Sequence, residues 1–181
     1  MALKIARAFV GVWGVLLPLC APAGTNSVTV QFEASLYTKT CKIDVRPNAL
    51  IEYGSVQVDT IIKNDAGTTQ SLNRDIVLTL TECSGPGTLA NSHVVVTGPT
   101  VTVNGHALFK ASGTAGGVGI QLLADGIAKT DGDEVWLLNS TSTENDTRTL
   151  TAALSCGHCT NVNDMAVGDM RATMTFTVLT Y

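Results

Sequence analysis

The chain has 181 residues, of which 45% are hydrophobic, 14% charged and 5% aromatic, with a formal net charge of −4. It is too apolar for a disordered chain, too acidic for a nonspecific nucleic-acid binder, and free of a collagen-like repeat. One apolar run is long enough to raise the membrane question, and it stands at the extreme N-terminus.

That run has three zones. Lys4 and Arg7 supply positive charge, Phe9 to Leu19 is almost wholly apolar, and Ala21-Pro22-Ala23 offers a small-x-small cleavage site. The pattern predicts a secretory signal peptide over residues 1–23, because the apolar core is too short for a span and no stop-transfer flank follows. Cleavage after Ala23 removes Lys4, Arg7 and Cys20 and leaves one domain's length of chain.

The remaining cysteines are Cys41, Cys83, Cys156 and Cys159, an even number in a chain sent to an oxidising compartment. Four cysteines allow three pairings. Spacing favours a local Cys156–Cys159 bridge, which leaves Cys41 with Cys83, and two structural disulfides are the default reading.

Past the leader, the sequence is rich in Thr, Val and Gly, and its periodic segments alternate at two residues, as strands do. Val28, Val30, Phe32, Ala34 and Leu36 share one face of a first strand. In residues 74–83, Ile76, Leu78 and Leu80 repeat the device. Shorter strands are predicted at 94–96, 101–103, 107–109, 118–123, 135–138 and 148–154. The last covers 172–180, with Ala172, Met174, Phe176 and Val178 on its apolar face. No segment reads as a long helix. Clusters of Gly, Asn, Asp, Ser and Pro at 63–70, 84–87, 111–117 and 130–133 are turn chemistry. Many short strands with regular punctuation argue for an all-β sandwich without a linker, repeat or second domain.

Cys156-Gly157-His158-Cys159 is the one motif that reads as catalysis, since a C-x-x-C at a helix N-terminus lowers a thiol pKa. Such a site needs a following amphipathic helix, and Thr160-Asn161-Val162-Asn163-Asp164 has no helical period, so a structural disulfide is favoured. Zinc would lack a fourth ligand there. His93 and His106 read as isolated surface histidines, Asp131-Gly132-Asp133-Glu134 as a polar turn, and Trp136 as a core or edge residue. The glycine-rich run 113–119 precedes a strand, not a helix, and so does not cradle phosphate. The sequence implies no cofactor, metal or catalytic residue.

Four segments, in order, carry a family resemblance. They are Val30-x-Phe32-x-Ala34 ahead of Cys41-Lys42-Ile43; Ile76-x-Leu78-x-Leu80-x-x-Cys83; Gly117-Val118-Gly119-Ile120-Gln121-Leu122; and Gly168-Asp169-x-x-Ala172-x-Met174-x-Phe176-x-Val178 with Tyr181. Together they resemble the type 1-like fimbrial (pilin) subunits of the bacterial chaperone/usher pathway over nearly the whole mature chain. The family's donor strand has glycine where this chain has Ala34.

The resemblance implies an incomplete immunoglobulin-like β-sandwich, residues 38–181, completed by a donor strand from a chaperone or a neighbouring subunit. Residues 24–37 would be the N-terminal donor-strand extension, with Val28, Val30, Phe32, Ala34 and Leu36 entering the neighbour's groove. Gly168, Ala172, Met174, Phe176, Val178 and Tyr181 would form this subunit's own groove and chaperone-binding strand. The implied partners are a periplasmic chaperone, an outer-membrane usher and other fimbrial subunits in a head-to-tail polymer. The implied route runs through the periplasm to a fimbrium at the cell surface. Two other readings are a periplasmic thiol-disulfide oxidoreductase using Cys156 and Cys159, and a carbohydrate-binding tip adhesin. The first requires a thioredoxin-like βαβ pattern, and the second an extra receptor-binding domain for which this chain has no room.

Overall fold

Alternating apolar residues, which bury one face of a strand and leave the other wet, set the architecture of the computed structural model. The residues described are Gln31 and 38–180. The leader, the predicted first strand with Val28, Val30, Phe32, Ala34 and Leu36, and the terminal Tyr181 lie outside them.

Among the described residues ten strands form: β1 (Thr40–Arg46), β2 (Asn73–Ser84), β3 (His93–Thr97), β4 (Thr100–Val103), β5 (His106–Phe109), β6 (Gly119–Ala124), β7 (Ile127–Lys129), β8 (Glu134–Leu137), β9 (Thr147–Ser155) and β10 (Thr175–Leu179). One helix, α1 (Val58–Asp65), lies between β1 and β2, and a single 3-10 turn spans Val162–Asp164. All strand pairs are antiparallel. The larger sheet runs β1-β2-β9-β6-β5-β4, with β7 on β6, and the smaller runs β10-β3-β8.

The core joins the two sheets. Leu78 and Leu80 of β2, Leu122 of β6 and Leu150 of β9 meet Val94 and Val96 of β3 and Val135 of β8 in one buried cluster. Each such side chain contributes about 1.5–3 kcal/mol relative to an exposed one. This is the all-β sandwich that the period-two pattern predicts. Ile76, Leu78 and Leu80 are all buried, and the alternation therefore reads the inner face of β2 correctly.

Four elements differ from the sequence reading. Residues 63–65, read as turn, are the last turn of α1, a helix held by an Asp59–Lys63 ion pair of 2.8 Å and by tertiary contacts. Asn64 Oδ1 accepts from the Leu72 N–H at 3.0 Å, and its amide donates to Asn73 Oδ1 at 3.1 Å. β1 and β7 are additional strands. The last strand is paired only from Thr175, although residues 170–174 keep the same alternation of half-buried and exposed side chains.

Candidate binding groove

Among the described residues β1 and β10 are each paired on one side only. β1 pairs with β2 and β10 with β3, so each presents a second edge of main-chain groups to whatever lies beside it. Between these edges runs a groove of about 1220 Å³. Its sides are Val45 of β1 and Phe176 of β10, and its floor includes Ile76, Ile120, Ala152 and Leu154 from β2, β6 and β9. Val58 and Ile61 add the flank of α1.

The period-two pattern puts the β10 side chains where a groove needs them. Phe176 and Val178 pack half-buried on the core, while Thr175, Thr177 and Leu179 face outward. Ala172 and Met174 continue the same inward face, and Gly168 lies on the lining with its Cα against Thr114. Of the sequence-predicted groove residues, Gly168, Ala172, Met174 and Phe176 lie on the lining, Val178 packs against the core without reaching it, and Tyr181 lies outside the described residues.

One end of the groove is closed by two extended backbones. Gly116 and Ala166 exchange hydrogen bonds of 3.0 Å in both directions, Ala115 N–H donates to the Asp169 carbonyl at 3.0 Å, and Arg171 N–H donates to the Ser112 carbonyl at 3.0 Å. The glycine run exists for this contact. A Cβ on Gly117, whose φ is +65°, would lie 2.1 Å from the Asp164 carbonyl oxygen.

Residues 47–57 bound the other side. Tyr53 Oη donates to the Ala152 carbonyl at 2.9 Å, and the Arg74 guanidinium sits 5.3 Å from its ring centroid. Burial pushes the Tyr53 phenol up to about 12, against a smaller opposing pull from Arg74. Two large apolar side chains on the groove lining are open to solvent, Leu50 at 73% and Val167 at 87% exposure. Apolar surface left open beside unpaired strand edges is the signature of a site that a partner strand covers.

Among the described residues the four cysteines form two disulfides, Cys41–Cys83 and Cys156–Cys159. The first joins the start of β1 to the end of β2. The second follows β9, with Cys156 fully buried and Cys159 at 5% exposure, and leads into the 3-10 turn instead of a long helix. Asp65, the last residue of α1, holds this loop through one carboxylate oxygen. That oxygen accepts from Ser155 Oγ at 3.0 Å, Cys156 N–H at 2.9 Å and His158 N–H at 3.1 Å. A buried, fully bonded bridge tied to the scaffold is a staple, and it gives no support to the redox reading. Among the described residues no group of three or more His, Cys, Asp or Glu side chains is placed to hold a metal ion.

The sequence reading missed the part played by residues 47–57, α1 and Asp65. Alternation of Cys41, Ile43 and Val45 was the available signal for β1. Asp65 left none, since its partners follow some ninety residues later.

The P pilus rod subunit PapA superposes with a TM-score of 0.53 at 19% identity, over 84% of this chain and 100% of that one. A chaperone-usher pilus structure addressing rod uncoiling gives 0.47 at 18% identity, covering 87% and 97% of the two chains. The P pilus adaptor subunit PapF gives 0.44 at 18% identity, covering 80% and 98%. No curated protein matches the sequence significantly. The fimbrial protein family model matches residues 27–180, which is most of the chain. On that match, with the fold shared with a pilus rod subunit, the chain belongs to the fimbrial protein family and is a structural subunit of a surface fimbrium, built to polymerise with other subunits.

Proposed function

We propose that this subunit polymerises by donor-strand exchange. Residues 24–37 of one copy, with Val28, Val30, Phe32, Ala34 and Leu36 inward, fill the groove between β1 and β10 of the next. The observation that carries this reading is the pair of strand edges, unpaired among the described residues, that flank an apolar groove. A strand laid there satisfies both edges through main-chain hydrogen bonds and places alternate side chains on the floor. Because donor and groove are different surfaces, the contact is head-to-tail and propagates instead of closing.

Before assembly, a periplasmic chaperone covers the groove by pairing with β10, and an outer-membrane usher directs the exchange. The signal peptide over residues 1–23 provides entry to the periplasm. Gly168, Ala172, Met174, Phe176, Val178 and Tyr181 form the strand that meets the chaperone, with the Tyr181 carboxylate held by basic groups. None of these roles requires catalysis.

The test compares thermal unfolding of two oxidised forms: residues 24–181 as they stand, and residues 38–181 with 24–37 fused at the C-terminus through a flexible linker. The reading expects the fused form to be a monomer that melts far higher, while the plain form aggregates or polymerises. Two stable monomers with equal melting temperatures would sink it.

A further inference from the structure

The Cys156–Cys159 loop carries a feature that polymerisation does not use. His106, at the start of β5, lies against His158 with ring centroids 4.8 Å apart and ring planes at 63°. Both side chains are exposed. We propose that His106 and His158 form a two-histidine binding site for a divalent transition ion of the zinc and copper class.

The cysteines of the motif cannot serve as ligands, because each sulfur is bonded to the other. What they do is fix His158. Its φ of +57° follows the Gly157 turn, its N–H is held by the Asp65 carboxylate, and its Nδ1 lies 3.1 Å from the Asp65 carbonyl oxygen. A carbonyl only accepts, so Nδ1 carries the hydrogen, and in the neutral ring the lone pair is on Nε2. A metal-binding imidazole is commonly oriented in this way, with the far ring nitrogen donating to a backbone carbonyl.

His106 is brought in by the turn between β4 and β5. Asn104 of that turn donates from its side chain to the Cys156 carbonyl at 3.0 Å, so one hydrogen bond ties the hairpin to the disulfide loop. The spacing suits chelation. With metal–nitrogen bonds of about 2.0–2.1 Å, two imidazoles at roughly 90–110° about one ion have centroids about 4.5–5.2 Å apart. The observed separation lies inside that interval. Imidazole pairs take zinc, copper and nickel, with copper bound tightest, and water completes the coordination of an exposed two-ligand site.

The probe is Cu²⁺ or Zn²⁺ alone, titrated calorimetrically into the purified chain without a histidine tag, with the copper complex also examined by electron paramagnetic resonance. The proposal expects one site per chain, copper tighter than zinc, and a copper spectrum with coupling to two imidazole nitrogens. His106→Gln and His158→Gln should each weaken binding by roughly a hundred-fold, as loss of one arm of a chelate does. His93→Gln should leave it unchanged. His106 stands on an exposed turn, so His106→Gln should melt as the parent does and keeps the test independent of folding. Binding that survives intact in His106→Gln, or a copper spectrum without two imidazole nitrogens, would overturn the assignment.

Discussion

The Asp65 carboxylate, at the end of α1, accepts a hydrogen bond of 2.9 Å from the backbone N–H of Cys156, 91 residues later in the chain. Through that contact and its bonds to Ser155 and His158, one side chain joins the helix beneath the groove to the loop that follows β9. Asp65→Ala leaves the N–H of a fully buried residue without its acceptor. The expected loss is about 2–4 kcal/mol of unfolding free energy, while Asp65→Asn, which keeps one acceptor oxygen, should lose less. Urea denaturation of both variants measures the difference.

The two disulfides should differ in weight. Their sequence separations are 42 and 3 residues. On the chain-entropy account, losing the longer loop costs about 4 kcal/mol and losing the shorter about 2 kcal/mol. Paired Cys→Ser variants, compared by denaturant unfolding, check the order; equal losses would mean that the entropy of the unfolded chain is not the main term.

Inward and outward positions on β10 should respond oppositely to charge. Val178→Asp puts a carboxylate on the apolar face, at a cost of about 3 kcal/mol or more. In the form carrying a fused donor strand, that corresponds to a fall of roughly 6–12 °C in Tm. Thr177→Asp, one residue away on the exposed face, should leave Tm within about 2 °C. A similar fall in both variants would place β10 in another register.

Tyr53 gives a pH signature. Its phenol is pushed up to about 12 from an ordinary value of 10.0, chiefly by burial. The stabilisation is fully present below pH 10, where the phenol is neutral in both folded and unfolded chains. It is lost as pH rises through about 12, since the unfolded phenol ionises first. Tyr53→Phe should cost about 1 kcal/mol at neutral pH through the bond to Ala152, and the gap between the two proteins should narrow above pH 10. A gap independent of pH up to 11.5 would contradict the burial of that hydroxyl.

Gly117→Ala tests the closed end of the groove. The added methyl meets the Asp164 carbonyl at 2.1 Å with φ at +65°, so strain and overpacking together predict a loss of about 2–4 kcal/mol. The same change at Gly126, where φ is +76° but nothing lies within 4 Å of the Cβ, should cost only the conformational part, about 1 kcal/mol. Thermal melts of the two variants separate the effects.

Alternation made β2, β6, β9 and the inward face of β10 legible in the sequence, because a half-buried strand writes its burial directly into every second residue. The groove role of that face came from the family resemblance, since alternation marks an apolar face without saying what covers it. α1 was hidden by its brevity and by Ile61-Ile62, a β-branched pair that lowers helix propensity, with no side-chain cap at Gln57 to mark its start. The meeting of His106 with His158 was hidden for a different reason. It depends on the β4–β5 turn docking against the loop after β9, a contact between segments fifty residues apart that leaves no periodic trace.

The Cys41–Cys83 bridge sits at the second residue of β1, just after the chain leaves the N-terminal segment. Tension entering the domain from that segment meets the covalent link before it meets the β1–β2 ladder. The load passes at Cys41 into β2, a strand flanked on both sides by β1 and β9. A pull entering at Cys41 therefore reaches β2 through a covalent bond, and the start of β1 cannot be stripped from β2 while that bond is intact.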